Sequence, residues 1–196
     1  MIVGLTGGIG SGKTTVAKLF NDFGNIAIYH ADDEAKKLMV ASKTIRTKII
    51  DLFGAEAYNS EGLNRVFISN IVFKDKNKLK QLNSIVHPEV KKHFKEFVSL
   101  NSAKNYVLYE NAILFESKSN LYCDFIITVF VDLETRILRT MQRDNSTKEA
   151  VLDRMKNQYL EDKKLLQSHY IIYNFDLEST KSQVNYIHNI LTKKAF

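Results

Sequence analysis

A single cysteine among 196 residues removes two scaffolds at once: Cys123 has no partner for an intramolecular disulfide, and one thiol cannot build a cysteine-rich zinc site. Such a chain suits a reducing compartment. Long apolar runs are also missing. The best one, residues 125–131, is interrupted by Thr128 and falls far short of the roughly 20 residues that cross a bilayer. The opening Met1-Ile2-Val3-Gly4-Leu5 runs into glycines without the basic flank or apolar length of a signal peptide. A cytoplasmic protein with no membrane contact is therefore expected. The five histidines show no metal-ligand spacing, and no Gly-x-Ser-x-Gly elbow supports a Ser-His-Asp hydrolase.

Arginine is scarce too, with 6 Arg against 22 Lys. The net charge of +6 invites a nucleic-acid reading, because cations gain by releasing the counterions of a phosphate backbone. The lysines are scattered, however, no run of five basic residues occurs, and 16 Asn accompany them. Compositional bias explains that pattern, and no nucleic-acid partner is expected. What is present is ordinary for a globular chain: 44% hydrophobic and 26% charged residues, at a length that suits one core carrying insertions.

Short apolar runs at 2–6, 26–29, 106–109, 125–131 and 170–173 alternate with helical spacing, which predicts a five-stranded parallel sheet in an α/β fold with helices on both faces. The 75 residues of 31–105 are too many for a plain crossover. Helices are expected there at 34–40, 44–53, 66–73 and 76–86. A further helix, 88–98, would open at the only proline, Pro88, with His87 held extended before it. A second insertion, from 132 to 168, would carry one helix capped by Asp132 and another opened by a Ser146-Thr147-Lys148-Glu149 capping box, with Leu152, Met155, Tyr159 and Leu166 on one side. A similar box at 180–183 would open the last helix. The organisation expected is a single unit of residues 1–196, with a core of 1–32, 101–131 and 169–196.

Between the first strand and its helix stands Gly7-Gly8-Ile9-Gly10-Ser11-Gly12-Lys13-Thr14, which fits the P-loop pattern Gly-x-x-x-x-Gly-Lys-[Ser/Thr]. A triphosphate needs several backbone N–H groups aimed at one place, and glycines let the chain adopt that shape and approach closely. Gly8, Gly10, Ser11, Gly12, Lys13, Thr14 and Thr15 form the expected ATP cradle. Lys13 is the cation for the outer phosphates, and the Thr14 hydroxyl is the expected Mg2+ ligand. Asp51-Leu52-Phe53-Gly54 mimics a GTPase element but follows a helical pattern, and the guanine-reading Asn-Lys-x-Asp is absent. Both are read as accidents.

Arg136, Arg139 and Arg143, half of all arginines, lie at i, i+3 and i+7 after the fourth strand. A rigid guanidinium fork suits phosphate oxygens, so this face points to a lid, the alternative being a solvated helix face beside Glu134 and Asp144. Asp32, just past the second strand on the ligand-binding edge of the sheet, is the candidate group at an acceptor hydroxyl, while Asp33 reads as a helix cap. Glu110, ending the third strand, either supports the Mg2+ shell or is a solvated strand end.

In these residues the chain resembles the dephospho-CoA kinase family of P-loop kinases. The likeness rests on residues 5–15, Ala31-Asp32, Gly62-Leu63-Asn64-Arg65, Leu82-Asn83-Ser84-Ile85-Val86-His87-Pro88, Ile113-Leu114-Phe115-Glu116, Arg139-Thr140-Met141-Gln142-Arg143-Asp144, Gln158 and Asn174, and covers nearly the whole chain. It implies a P-loop NTPase three-layer α/β/α fold, transfer of the ATP γ-phosphoryl group to the ribose 3′-hydroxyl of dephospho-CoA, and Mg2+ as the accompanying ion. Asp32 would then be the catalytic carboxylate, Lys13 and Arg139 would bind the moving phosphate, and Arg143 would belong to a lid of 132–168. Arg65 and His87 would lie in a helical CoA-binding insertion of 33–100, and Asn174 near the base. A monomer or weak homo-oligomer is expected. His30 and Ala112 depart from the family's usual Asp and Pro. The alternatives are another P-loop small-molecule kinase, such as a nucleoside monophosphate kinase, and an ATP-switched binding module.

Overall fold

The computed structural model describes residues 1–72 and 74–195. Five parallel strands form the main sheet: β1 (Ile2–Thr6), β2 (Ala27–His30), β5 (Val107–Glu110), β6 (Phe125–Phe130) and β7 (Tyr170–Tyr173), in the order β2-β5-β1-β6-β7. The second and third strands lie one residue later than the apolar runs at 26–29 and 106–109. Each run reads as strand because both faces of the sheet are covered, so no polar alternation is needed. Helices α1 (Lys13–Asn21) and α9 (Leu177–Lys194) cover one face, burying Val16, Ala17, Phe20, Val184, Ile187 and Leu191 against Val3, Leu5, Ile127, Val129 and Ile172. Gly4 faces the other way, where a Cβ would meet Leu114 at 2.8 Å and Cys123 Sγ at 2.9 Å. Burial pushes the Cys123 thiol up to about 12, so it is an inert packing group.

The chain divides into two compact units, one of residues 1–30 and 101–196, the other of residues 31–100. The second is helical: α2 (Ala31–Ala41), α3 (Lys43–Phe53), α4 (Arg65–Val72) and α5 (Lys76–Leu100), with a two-residue antiparallel pair, β3 (Tyr58–Asn59) and β4 (Gly62–Leu63), that the sequence patterns did not predict. Its centre is Ile45, Ile49, Ile68, Val86, Val90 and Phe94. Phe73, where the expected 66–73 helix ended, lies outside the described residues.

Pro88 does not open a helix. It sits inside α5, so the expected helices at 76–86 and 88–98 are one, and His87 is helical rather than extended. A proline there removes one backbone hydrogen bond and strains the preceding turn. The helix continues because Val86, Val90 and Phe94, four residues apart, bury one face of α5, which packs on α2, α3 and α4.

The insertion after β6 holds α6 (Leu133–Asp144), α7 (Lys148–Met155) and α8 (Glu161–Leu166). Asp132 caps α6 as expected, accepting from the Thr135 N–H at 2.8 Å. The cap of α7 is Thr147, one residue past the expected Ser146, because its hydroxyl reaches the Ala150 N–H at 3.3 Å. The expected single apolar stripe breaks between α7 and α8, leaving Tyr159 and Leu166 exposed. Asp176, not Thr180, caps α9, and Thr180 lies buried inside that helix. Asp33 is likewise no cap: α2 follows β2 without a loop, and Asp33 pairs with Lys36 within its first turn.

Candidate active site

The P-loop leaves β1 and enters α1 through Gly12, whose φ of +89° is a left-handed value that a side chain would resist. No side chain caps α1. Its first N–H groups therefore join the loop's amides as an anion nest. Lys13 donates from Nζ to the Gly7 carbonyl at 3.0 Å, folding back over the loop. The Ser11 hydroxyl is buried without a hydrogen-bond partner. A phosphate oxygen is the kind of acceptor such a hydroxyl calls for.

Thr14 Oγ1 donates to Glu110 Oε1 at 3.0 Å, and the other Glu110 oxygen bonds His30 Nδ1. Glu110 is buried, only 8% exposed, which excludes the solvated strand end and makes it the link between β5, α1 and the end of β2. His30 was identifiable in the sequence only as a departure from the family's usual residue. Nothing local in the sequence announces its contact with a carboxylate eighty positions away.

Asn174, on the loop after β7, is buried at the other side of the P-loop. Its side-chain amide donates to the Ser11 carbonyl at 2.7 Å and accepts from Thr180 Oγ1 at 3.0 Å. A Cβ at Gly12 would stand 2.1 Å from Asn174 Nδ2. Arg139 donates both terminal nitrogens to the Asn174 carbonyl at 3.1 Å, so α6 is fastened beside the loop.

The three arginines of α6 reach three different destinations. Arg136, 12% exposed, pairs with Glu161 at 2.5 Å. Arg143 is more than half exposed and pairs with Asp144, which also takes Arg154 from α7. Hydrogen bonds from Arg143 and Arg154 hold the Asp144 carboxyl well below the usual carboxylate range. Arg143 thus ties α6 to α7 through a shared acid, while Arg139 bonds the residue whose side chain holds the Ser11 carbonyl. Gln158 was noted in the sequence without a role. The structure gives it one partner in the P-loop and one after β5, bonding the Ile9 N–H at 2.9 Å and the Ala112 carbonyl at 3.0 Å.

In the helical unit, Asp32 is exposed in the first turn of α2, two residues along the chain from His30, and Arg65 is exposed as the first residue of α4. His87 is half-buried in α5, and burial lowers its pKa. Thr15 is exposed on α1. Among the described residues no cluster of three or more His, Cys, Asp or Glu side chains could hold a metal, and no helix is long and apolar enough to cross a membrane.

A nucleotide cradle at the edge of a parallel sheet, overlaid by an arginine-bearing helical segment, defines a P-loop kinase of the three-layer α/β class. The family described as dephospho-CoA kinase matches residues 1–179. The dephospho-CoA kinase of Leptospira interrogans is 35% identical over 195 residues, 98% of this chain and 94% of that relative, and that of Bacteroides fragilis is 34% identical over 172 residues, 88% and 83%. A crystal structure from Thermus thermophilus superposes with a TM-score of 0.85 at 30% identity, covering 98% of this chain and 97% of that one. The chain belongs to the dephospho-CoA kinase family.

Proposed function

We infer that this enzyme transfers the γ-phosphoryl group of ATP to the ribose 3′-hydroxyl of dephospho-CoA, giving coenzyme A and ADP. The observation that carries the reading is the P-loop cradle, with its left-handed Gly12, inward-folded Lys13 and unpartnered buried Ser11 hydroxyl, in a chain matched by that family from residue 1 to 179. Gly8, Gly10, Ser11, Gly12, Lys13, Thr14 and Thr15 hold the ATP phosphates, and Asn174 lies toward the base. Phosphoryl transfer asks little covalent chemistry of the protein, so positioning and charge neutralisation account for most of the acceleration. Lys13 and Arg139 neutralise charge that develops on the moving group.

Asp32 accepts the proton of the attacking ribose hydroxyl. A carboxylate suits that task because it carries charge at neutral pH and needs only to come within hydrogen-bond reach. Arg65 and His87 bind dephospho-CoA within an insertion of residues 33–100. Arg143 belongs to a lid of residues 132–168 that excludes water during transfer.

The donor set fits Mg2+. Thr14 gives its hydroxyl proton to Glu110, which leaves the oxygen lone pairs available to a hard cation, and Glu110 is a carboxylate that can receive that cation's water ligands. Thr14 directly and Glu110 through water would hold Mg2+, which would supply positive charge beside the ATP phosphates. A cytoplasmic, monomeric or weakly self-associating enzyme without a nucleic-acid partner fits the scattered lysines and the single cysteine. The test is to incubate the enzyme with ATP, Mg2+ and dephospho-CoA and locate the new phosphate by 31P NMR. A 3′-phosphomonoester on the ribose is expected, and ADP formed without it would contradict the assignment.

A further inference from the structure

The segment after β6 meets the P-loop at consecutive residues. At Gly8 the paired Arg136 and Glu161 side chains leave no room for a Cβ, which would stand 1.7 Å from Arg136 Nη1 and 2.6 Å from Glu161 Oε2. At Ile9 the contact is a directed hydrogen bond: the backbone N–H donates to Gln158 Oε1 at 2.9 Å. The other end of the same amide donates from Nε2 to the Ala112 carbonyl at 3.0 Å. The two bonds have opposite polarity, so a single orientation of the glutamine satisfies both.

The backbone behind Gln158 is fixed as well. Its own N–H bonds the Met155 carbonyl at 3.0 Å, and the next N–H, of Tyr159, bonds Glu116 Oε1 at 2.6 Å. Glu116 pairs at 3.3 Å with Lys164, which is fully buried and also reaches the Ala112 carbonyl at 3.5 Å. A buried ammonium must be neutralised where it stands, so this pair holds Ala112, Glu116 and the α7–α8 connection in one arrangement. Gln158 is therefore a side chain placed from both sides, in contrast to a surface glutamine that happens to touch a loop.

Ile9 is flanked by Gly8 and Gly10, and Gly10 has φ +82°. Inside this arch the Ser11 N–H bonds the Gly8 carbonyl at 3.0 Å, whereas the Ile9 N–H is held from outside the loop, by Gln158. The donor amides of residues 10–15 inherit their direction from the arch. We propose that Gln158 is a positioning residue that fixes the Gly8-Ile9-Gly10 arch through the Ile9 N–H and so preorganises the P-loop amides for the nucleotide phosphates. The inference rests on the P-loop reading of the site but not on the identity of the acceptor.

Q158M and Q158A test it, the first close to glutamine in length and unbranched to the same depth, the second adding no bulk. Amide hydrogen exchange at Ile9 is measured in nucleotide-free protein, ATP affinity by calorimetry, and the KM of each substrate in steady state. One lost hydrogen bond to the backbone predicts exchange at Ile9 faster by about tenfold, and the ATP Kd and KM raised by about tenfold, with the dephospho-CoA KM within about twofold of wild type. Unchanged protection of Ile9, or ATP affinity within about twofold of wild type, overturns the proposal. An equal rise in both KM values together with a lower unfolding temperature also overturns it, by marking a general packing role. If the wild type binds ATP but leaves dephospho-CoA unphosphorylated, the substrate assignment fails while the exchange and affinity comparison still decides the role of Gln158.

Discussion

The sheet-containing unit and the helical unit differ in how far their candidate residues are enclosed. In the first, four of them bond other groups of that unit: Lys13 the Gly7 carbonyl, Thr14 Glu110, Asn174 the Ser11 carbonyl, and Arg139 the Asn174 carbonyl. In the second, Asp32 and Arg65 stand exposed in the first turns of their helices. The difference teaches where rigidity is needed. A triphosphate is the same in every ATP-using enzyme and rewards a preformed cradle, whereas an acceptor is chosen by side chains displayed on helices that can vary without disturbing the sheet.

Asp32→Asn is the sharpest way to separate the two units. It keeps the shape of the side chain and removes the proton acceptor, so kcat should fall by about 10²- to 10⁴-fold while ATP affinity measured by calorimetry stays at the wild-type value. A parallel loss of ATP affinity would move Asp32 into the donor site and dissolve the contrast. Gly10→Ala makes the reciprocal perturbation. Its Cβ would stand 2.3 Å from the Arg136 carbonyl, a backbone atom that cannot swing away, at a φ of +82°. Strain of about 1–3 kcal/mol should weaken ATP binding by roughly tenfold or more, measured by the same titration.

Arg65→Ala addresses the acceptor side alone. Loss of a charge-assisted contact predicts a KM for dephospho-CoA higher by about tenfold, with the ATP KM unchanged in steady-state assays. The smallest effect concerns the core beneath the donor site. His188 is 5% exposed, stacks on Phe23 and bonds the Tyr106 hydroxyl at 2.7 Å, and burial lowers its pKa from the ordinary value of 6.5. The unfolded chain therefore takes up the proton first as pH falls. The stability of the neutral imidazole is complete above pH 6.5 and declines below it toward the folded-state value. Urea midpoints at pH 7.5 and 5.5 should differ more in wild type than in His188→Phe.

The cradle and the five strands were readable because both are local: glycine spacing encodes a backbone shape, and apolar runs encode burial on two faces. What escaped was long-range or decided by competition. The His30–Glu110 bond joins residues 80 positions apart, and the Arg136–Glu161 pair joins residues of α6 and α8, neither with any signature along the chain. Pro88 was read as a helix start from its intrinsic geometry, and packing of Val86, Val90 and Phe94 outweighed that preference. The caps at Thr147 and Asp176 went to the side chain whose oxygen reached a free N–H, which residue type alone does not determine where several candidates adjoin. Even the arginine face at 136, 139 and 143, correct as a helix face, divided into a buried ion pair, a link to Asn174 and a clamp on Asp144.

A P-loop enzyme of this family serves one acceptor. ADP release with Mg2+ and ATP, measured against dephospho-CoA, a set of nucleoside monophosphates and shikimate, tests it directly. Stimulation by dephospho-CoA, with the other acceptors at the level of the acceptor-free rate, is the predicted result. Stimulation by a nucleoside monophosphate or shikimate with none by dephospho-CoA would contradict it.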